Sequence, residues 1–324
     1  MSNGLVPASQ SESLAVIVQQ PTAEGALPQP TRAAPVRDLA LELLDRMNGR
    51  HGQSDSEVSG LSTGFSDLDY LTTGMYPGDL IIISGRPSMG KSALSMNIAQ
   101  HVAKDGQSQV VVFSMEMDRH QLVERMMSAL AKVDLQGVRS GKLWDSDWLR
   151  ISAAIEILDN LNLTIDDTPA LTIRELALRA RSYAEGTARV GLVVVDYIQL
   201  MACDRRDSAE SRANQISEIS RGLKALAREL CCPVIALSQL TRAVEARNDK
   251  RPMMSDLRDS GAIEEDADVI LFLHRNDYYA RGHKRSGVAD LTVSKQRNGP
   301  TGALQLAFFD SQTRFESIAV LDGK

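Results

Sequence analysis

The chain has 324 residues, 43% of them hydrophobic and 24% charged, with a net charge of −6; it is long enough for one large or two small globular domains with a substantial core. No apolar run approaches the roughly 18 residues that span a bilayer, and residues 1–20 lack a secretory leader's basic start and cleavage pattern, so the sequence reads as neither membrane-embedded nor secreted. Three cysteines (Cys203, Cys231, Cys232) show neither metal-ligand spacing nor the even count of a disulfide framework, which points to a reducing, cytoplasmic compartment.

Residues 1–35 hold five of the eleven prolines, few charges and no aromatics, the composition of a disordered tail. In residues 36–60, "VRDLALELLDRM" sets Val36, Leu39, Leu43, Leu44 and Met47 on one helical stripe, followed by a breaker-rich tether. One short amphipathic helix cannot bury its stripe alone, so it docks either on its own domain or on a neighbouring subunit.

Residues 61–324 read as one α/β domain, in which apolar strands alternate with helical segments as in a mostly parallel sheet covered on both faces. The expected strands are Leu80–Ser84, Gln109–Ser114, Val190–Val195, Pro233–Leu237, Val269–Leu273, Val288–Ser294 and Ala303–Phe308. Helices are expected at Ser92–Asp105, Asp118–Ala131, Asp147–Leu158, Ile173–Gly186 and Gln215–Leu230. The last two strands flank "QRNGPTG", whose Asn-Gly suits a hairpin or bulged turn, so the sheet should end antiparallel.

"GRPSMGKS" (Gly85, Arg86, Pro87, Ser88, Met89, Gly90, Lys91, Ser92) fits G-x-x-x-x-G-K-[ST], follows a strand and opens a helix. Such a loop curls its N–H groups around phosphates, with the helix N-terminus adding its dipole. Lys91 would then reach the β- and γ-phosphates of ATP, and the Ser92 hydroxyl would ligate Mg2+. Ser88 and Lys91 also satisfy S-x-x-K, but the S-D-N and K-T-G partners of a serine acyl enzyme are absent from the sequence.

Ligands of open α/β sheets bind at the carboxyl ends of the strands, which makes the polar residues there informative. Asp196 follows "LVVV" as a second magnesium-ordering group, Glu116 follows "VVVFS" as a base for an attacking water, and Gln239 follows "PVIALS" as a sensor of the γ-phosphate. Each alone could equally be a helix N-cap or a solvated loop residue; together they converge on one phosphate loop. His51, His101, His120, His274 and His283 form no zinc pattern.

"GRPSMGKS", "FSMEM", "VVVDYIQLM", "LSQLTRAVEARNDKRPMMSDLRDSGAIEEDADVILFLHR" and "SKQRNGPTG", in this order, closely resemble the ATPase domain of DnaB-type replicative helicases, from about Leu61 to Phe315. The resemblance implies a RecA-like core, a homo-hexameric ring around single-stranded DNA, and strand separation driven by nucleotide hydrolysis, with 5'-3' movement. It gives Lys91, Ser92, Glu116, Asp196 and Gln239 the roles stated above. It also assigns "DLRDSG" to a DNA-facing loop, with Arg258, Asp259 and Gly261 on the backbone, and it suggests a second such loop within "MACDRRDSAESRANQ". At 4% aromatic residues, DNA binding should track the backbone rather than stack bases.

The pair Lys295 and Arg297 points to one face of a strand end. In a monomer that reads as a solvated basic edge guarding against strand pairing. In a ring the resemblance makes Arg297 an arginine finger reaching the neighbour's nucleotide and Lys295 its companion. The family's sizeable helical N-terminal domain has no counterpart in residues 1–60, while Val36–Met47 matches its linker helix; a primase or a helicase loader is the further partner implied. The rival readings are a RecA-like ATPase that binds DNA or a protein without unwinding, and a small-molecule P-loop kinase, for which no arginine-rich lid is recognisable.

Overall fold

In the computed structural model, residues 34–50, 58–104, 106, 108–185, 189–203, 212–279 and 286–318 are described. The chain divides into two units, Met1–Glu57 and Val58–Lys324. The first contains helix α1, Val36–Arg50, on which Val36, Leu39, Leu43, Leu44 and Met47 are exposed. None of the described helices is long and apolar enough to cross a membrane.

In the second unit, continuous apolar runs become the buried strands of one sheet: β1 Leu80–Gly85, β2 Gln109–Ser114, β3 Leu163–Asp166, β4 Val190–Asp196, β5 Val234–Gln239 and β6 Val269–His274. These six are mutually parallel, and β7 Val288–Gln296, β8 Gly302–Phe309 and β9 Arg314–Ser317 extend the sheet antiparallel from β6. The strand order is β3-β2-β4-β5-β1-β6-β7-β8-β9.

Because side chains alternate with period two, each central strand feeds two cores. Ile81, Ile83, Val110, Val112, Val194 and Ile235 face one side. There they meet α3, Lys91–Ala103, through Leu94 and Ile98, and α4, Arg119–Ala131, through Leu122 and Met126. Ile82, Val111, Phe113, Val193, Val195 and Ala236 face the other side. Their partners there are α7, Ile173–Ala184, and α8, Arg212–Leu230. Each fully buried aliphatic side chain contributes about 1.5–3 kcal/mol, so the strand ends are anchored by a double-sided core.

Several elements depart from the sequence reading. Strands β3 and β9 and the short helices α2 (Ser66–Thr72), α5 (Leu135–Ser140) and α9 (Gly261–Asp266) have only four to seven residues and were not foreseen. The expected helix Asp147–Leu158 is α6, Asp145–Asp159. The Asn-Gly segment does join an antiparallel pair, β7 with β8, as expected; the connection is wide, since the last β7–β8 pair is Val293 with Gly302, while Lys295 and Gln296 go on pairing with β6 past a bulge.

Candidate functional site

Parallel alignment brings the carboxyl ends of β1, β2, β4 and β5 to one edge. Gly85 pairs with Gln239 across β1 and β5, and Ser114 pairs with Asp196 across β2 and β4. The segment Gly85–Ser92 leaves β1 at this edge. A Cβ on Gly85 would lie 2.7 Å from the Leu273 carbonyl oxygen, so only glycine permits this approach of β1 to β6. Gly90 ends the loop at φ 101° and leads directly into α3, with Lys91 as the first helical residue.

Around this loop lies an open pocket of about 620 Å³, bordered by Ser88, Lys91, Ser92, Glu116 and Gln239. Asp196 adjoins them through Ser92: it is 4% exposed and hydrogen-bonded to Ser92. Burial is the main reason its carboxyl is pushed from 3.8 up to about 6, with the Glu116 charge adding to the rise and Ser92, Lys91 and Arg125 opposing it. Burial likewise pushes the Lys91 ammonium down from 10.5 to about 8, against the attraction of Asp196 and Glu116. The Lys91 ammonium donates to the carbonyls of Gly85 (2.9 Å) and Arg86 (3.2 Å). Burial thus opposes the charged form of both groups, the part-buried Lys91 ammonium and the buried Asp196 carboxylate, while each charge favours the other.

The phosphate-loop residues do not all face the pocket. Met89 is buried in the core. The Arg86 guanidinium turns away and binds Glu245 Oε1 through Nε (3.0 Å) and Nη2 (2.8 Å) and the Leu240 carbonyl through Nη1 (2.8 Å). Pro87, Ser88 and Gly90 border the pocket.

Lys295 and Arg297 lie elsewhere, outside the pocket border, bonded to main-chain carbonyls at the end of α9. Arg258 and Asp259 fall in a 3-10 segment, Met254–Ser260, and Gly261 opens α9, exposed and with open space around its α-carbon. Most of the second expected loop, residues 204–211, lies outside the described residues.

Sequence reasoning missed three residues at this site. Arg125 of α4 borders the pocket and is held below the usual guanidinium range by burial, with Asp196 and Glu116 as its anionic neighbours. Arg275 follows β6, donates to the Ser88 carbonyl at 3.3 Å and stacks 4.2 Å above the Phe308 ring. Gln199 holds the main chain at Gln239: its Oε1 accepts from Gln239 N at 3.1 Å and its Nε2 donates to Ser238 Oγ at 2.9 Å. The strand-end rule that located Asp196 and Gln239 applies equally to Arg275, since β6 adjoins β1; Arg125 and Gln199 carry no comparable signal.

The sequence pattern of the DnaB-like helicase C terminal domain matches residues 60–317. The chain belongs to this family. It is 44% identical over 283 residues to the replicative DNA helicase DnaB of Geobacillus stearothermophilus, covering 87% of this chain and 62% of that protein. It is 45% identical over 281 residues to the DnaB of Pasteurella multocida, covering 86% and 59%. This chain thus spans about three fifths of the relatives it matches.

Among solved structures, an isolated ATPase domain superposes with a TM-score of 0.80 at 34% identity, covering 88% of this chain and 99% of that one. A DnaB-like replicative helicase, described with its interactions with primase, gives 0.78 at 34% identity, covering 88% and 67%. The fold is the RecA-like α/β ATPase fold that the sequence led us to expect, a mostly parallel sheet with antiparallel C-terminal strands.

Proposed function

We propose that this chain is an ATP-dependent replicative DNA helicase whose ATPase domain works in a homo-hexameric ring around single-stranded DNA and separates duplex strands. The observation that carries the reading is the convergence of Lys91, Ser92, Glu116, Asp196 and Gln239 on one strand edge, in a chain of the DnaB-like family.

In this reading the loop from Gly85 to Ser92 wraps the phosphates of ATP, and Lys91 neutralises the β,γ charge. Ser92 Oγ and the Asp196 carboxylate are adjacent hard oxygen donors, a donor set that fits Mg2+ shared with phosphates; that ion would offset the negative charge on the transferring group. Glu116 accepts the proton of the attacking water, and Gln239, whose main chain Gln199 holds, reads the γ-phosphate. Arg297 and Lys295 act on the nucleotide of the adjacent subunit. Arg258, Asp259 and Gly261 meet the DNA backbone. Helix α1 serves as the linker helix that packs on a neighbouring subunit, the location is the cytoplasm, and a loader or primase is a further partner.

The deciding experiment is unwinding of a forked duplex with ATP and magnesium, beside Lys91→Ala. Strand separation lost in Lys91→Ala is expected. Hydrolysis stimulated by single-stranded DNA without strand separation would instead leave a DNA-stimulated ATPase.

A further inference from the structure

Helix α9 ends where the pair Lys295 and Arg297 begins its contacts. The Lys295 ammonium donates to the carbonyl oxygens of Glu264 and, at 2.7 Å, Ala267. The Arg297 guanidinium donates through Nη2 to the carbonyl of Glu265, and its Nε lies 3.5 Å from Asp268 Oδ1. These carbonyls are the acceptors that a helix C-terminus leaves unsatisfied, and cations suit the negative end of the helix.

Asp268 cannot swing away from this arrangement. It is 7% exposed, and its Oδ2 accepts from Leu80 N at 2.8 Å and from Lys224 Nζ at 2.5 Å. Its carbonyl also accepts from Arg297 N at 3.0 Å. One edge of the guanidinium is thereby fixed, while Nη1 has no partner among the described residues and the side chain is half exposed. An arginine fork held along one edge and open along the other is organised in advance to receive phosphate oxygens.

We propose that Asp268 and the terminal carbonyls of α9 are positioning groups that aim Arg297 and Lys295 at the adjacent subunit's nucleotide, and that α9, which begins at Gly261, ties this aim to the Arg258–Gly261 segment. The inference rests on the reading of Arg297 as a finger acting in trans. It needs no new chemistry, only geometry, and a misplacement of about 1 Å in such a group costs up to roughly 100-fold in rate.

The test uses the full chain in co-expressed mixed assemblies. Asp268→Asn alone is expected to lower ATP turnover roughly 10- to 100-fold, with nucleotide affinity unchanged and a lower ratio of DNA-stimulated to basal turnover. Mixed with Lys91→Ala subunits, whose finger is intact, Asp268→Asn should regain turnover as Arg297→Ala does in the same mixture. Full turnover by Asp268→Asn overturns the proposal. So does a mixture with Lys91→Ala that stays inactive while the Arg297→Ala mixture recovers, because Asp268 would then act on its own phosphate loop, leaving the finger reading intact.

If neither mixture recovers, the finger reading itself fails. An unchanged stimulation ratio would sever the tie to the DNA segment. Should Asp268→Asn not assemble, the double change Asp268→Asn with Lys224→Met removes the buried pair together, without leaving an uncompensated ammonium, and is read the same way.

Discussion

Arg86 and Glu245 are joined across 159 residues by two hydrogen bonds from one guanidinium to one carboxylate oxygen, Nε at 3.0 Å and Nη2 at 2.8 Å. With its third bond, to the Leu240 carbonyl, Arg86 fastens the phosphate loop to the segment after β5. That segment continues through the Arg247–Asp256 ion pair (2.8 Å) into Arg258–Gly261. Arg86 is almost fully buried whereas Glu245 is half exposed, so solvent screening reduces the worth of the pair. Arg86→Ala should cost about 1–3 kcal/mol and weaken the stimulation of hydrolysis by DNA. Arg86→Lys should not rescue, since an ammonium cannot span both acceptors. Urea unfolding and a DNA titration of ATP turnover check both outcomes.

Asp196 should make the nucleotide-free protein less stable than it could be. Its folded-state pKa of about 6 lies above the ordinary 3.8, so the folded chain holds this proton more tightly than the unfolded one. The stabilising contribution of protonation is complete below about pH 3.8 and is lost as pH rises through 6. At pH 7.5 the charged, buried carboxylate costs on the order of 3 kcal/mol. Asp196→Asn should therefore raise the melting temperature without nucleotide at pH 7.5, by a margin that shrinks toward pH 5, while abolishing hydrolysis. An equal gain at both pH values would contradict this.

The central architecture was legible because β1, β2, β4, β5 and β6 are covered on both faces and so appear as unbroken apolar runs. Strand β3 (LTID) and strand β9 (RFES) offer four residues each; only their neighbours β2 and β8 make them strands. The strand-end acids were legible for the same reason as the strands. Arg125 was not, because its place at the pocket depends on how α4 packs, which no local pattern encodes. The tie of Lys295 and Arg297 to α9 was equally hidden, since it joins residues about 30 apart through main-chain carbonyls.

Gly90 tests the shape of the phosphate loop directly. Its φ of 101° is unfavourable for any other residue, and an added Cβ would lie 2.9 Å from the Phe315 ring. Gly141 shares the left-handed backbone, φ 70°, but its surroundings are open. Gly141→Ala should thus cost about 1 kcal/mol from backbone strain alone. Gly90→Ala adds a collision in a packed site and should cost about 1–3 kcal/mol with loss of nucleotide binding. Equal melting shifts for the two variants would show that the Phe315 contact has no weight.

Arg297 separates chemistry from assembly. Its side chain touches none of the pocket that holds Lys91 and Glu116 in the same chain, so removing it should leave that chain's own phosphate loop undisturbed. If it completes the site of a neighbouring subunit, Arg297→Ala should lower turnover on the order of 10³-fold or more. Affinity for a fluorescent nucleotide and the size of the assembly on gel filtration should stay at wild-type values. A basic strand edge that only discourages pairing predicts the opposite pattern, full turnover with increased aggregation. Turnover and light scattering measured on one preparation therefore decide between the two roles.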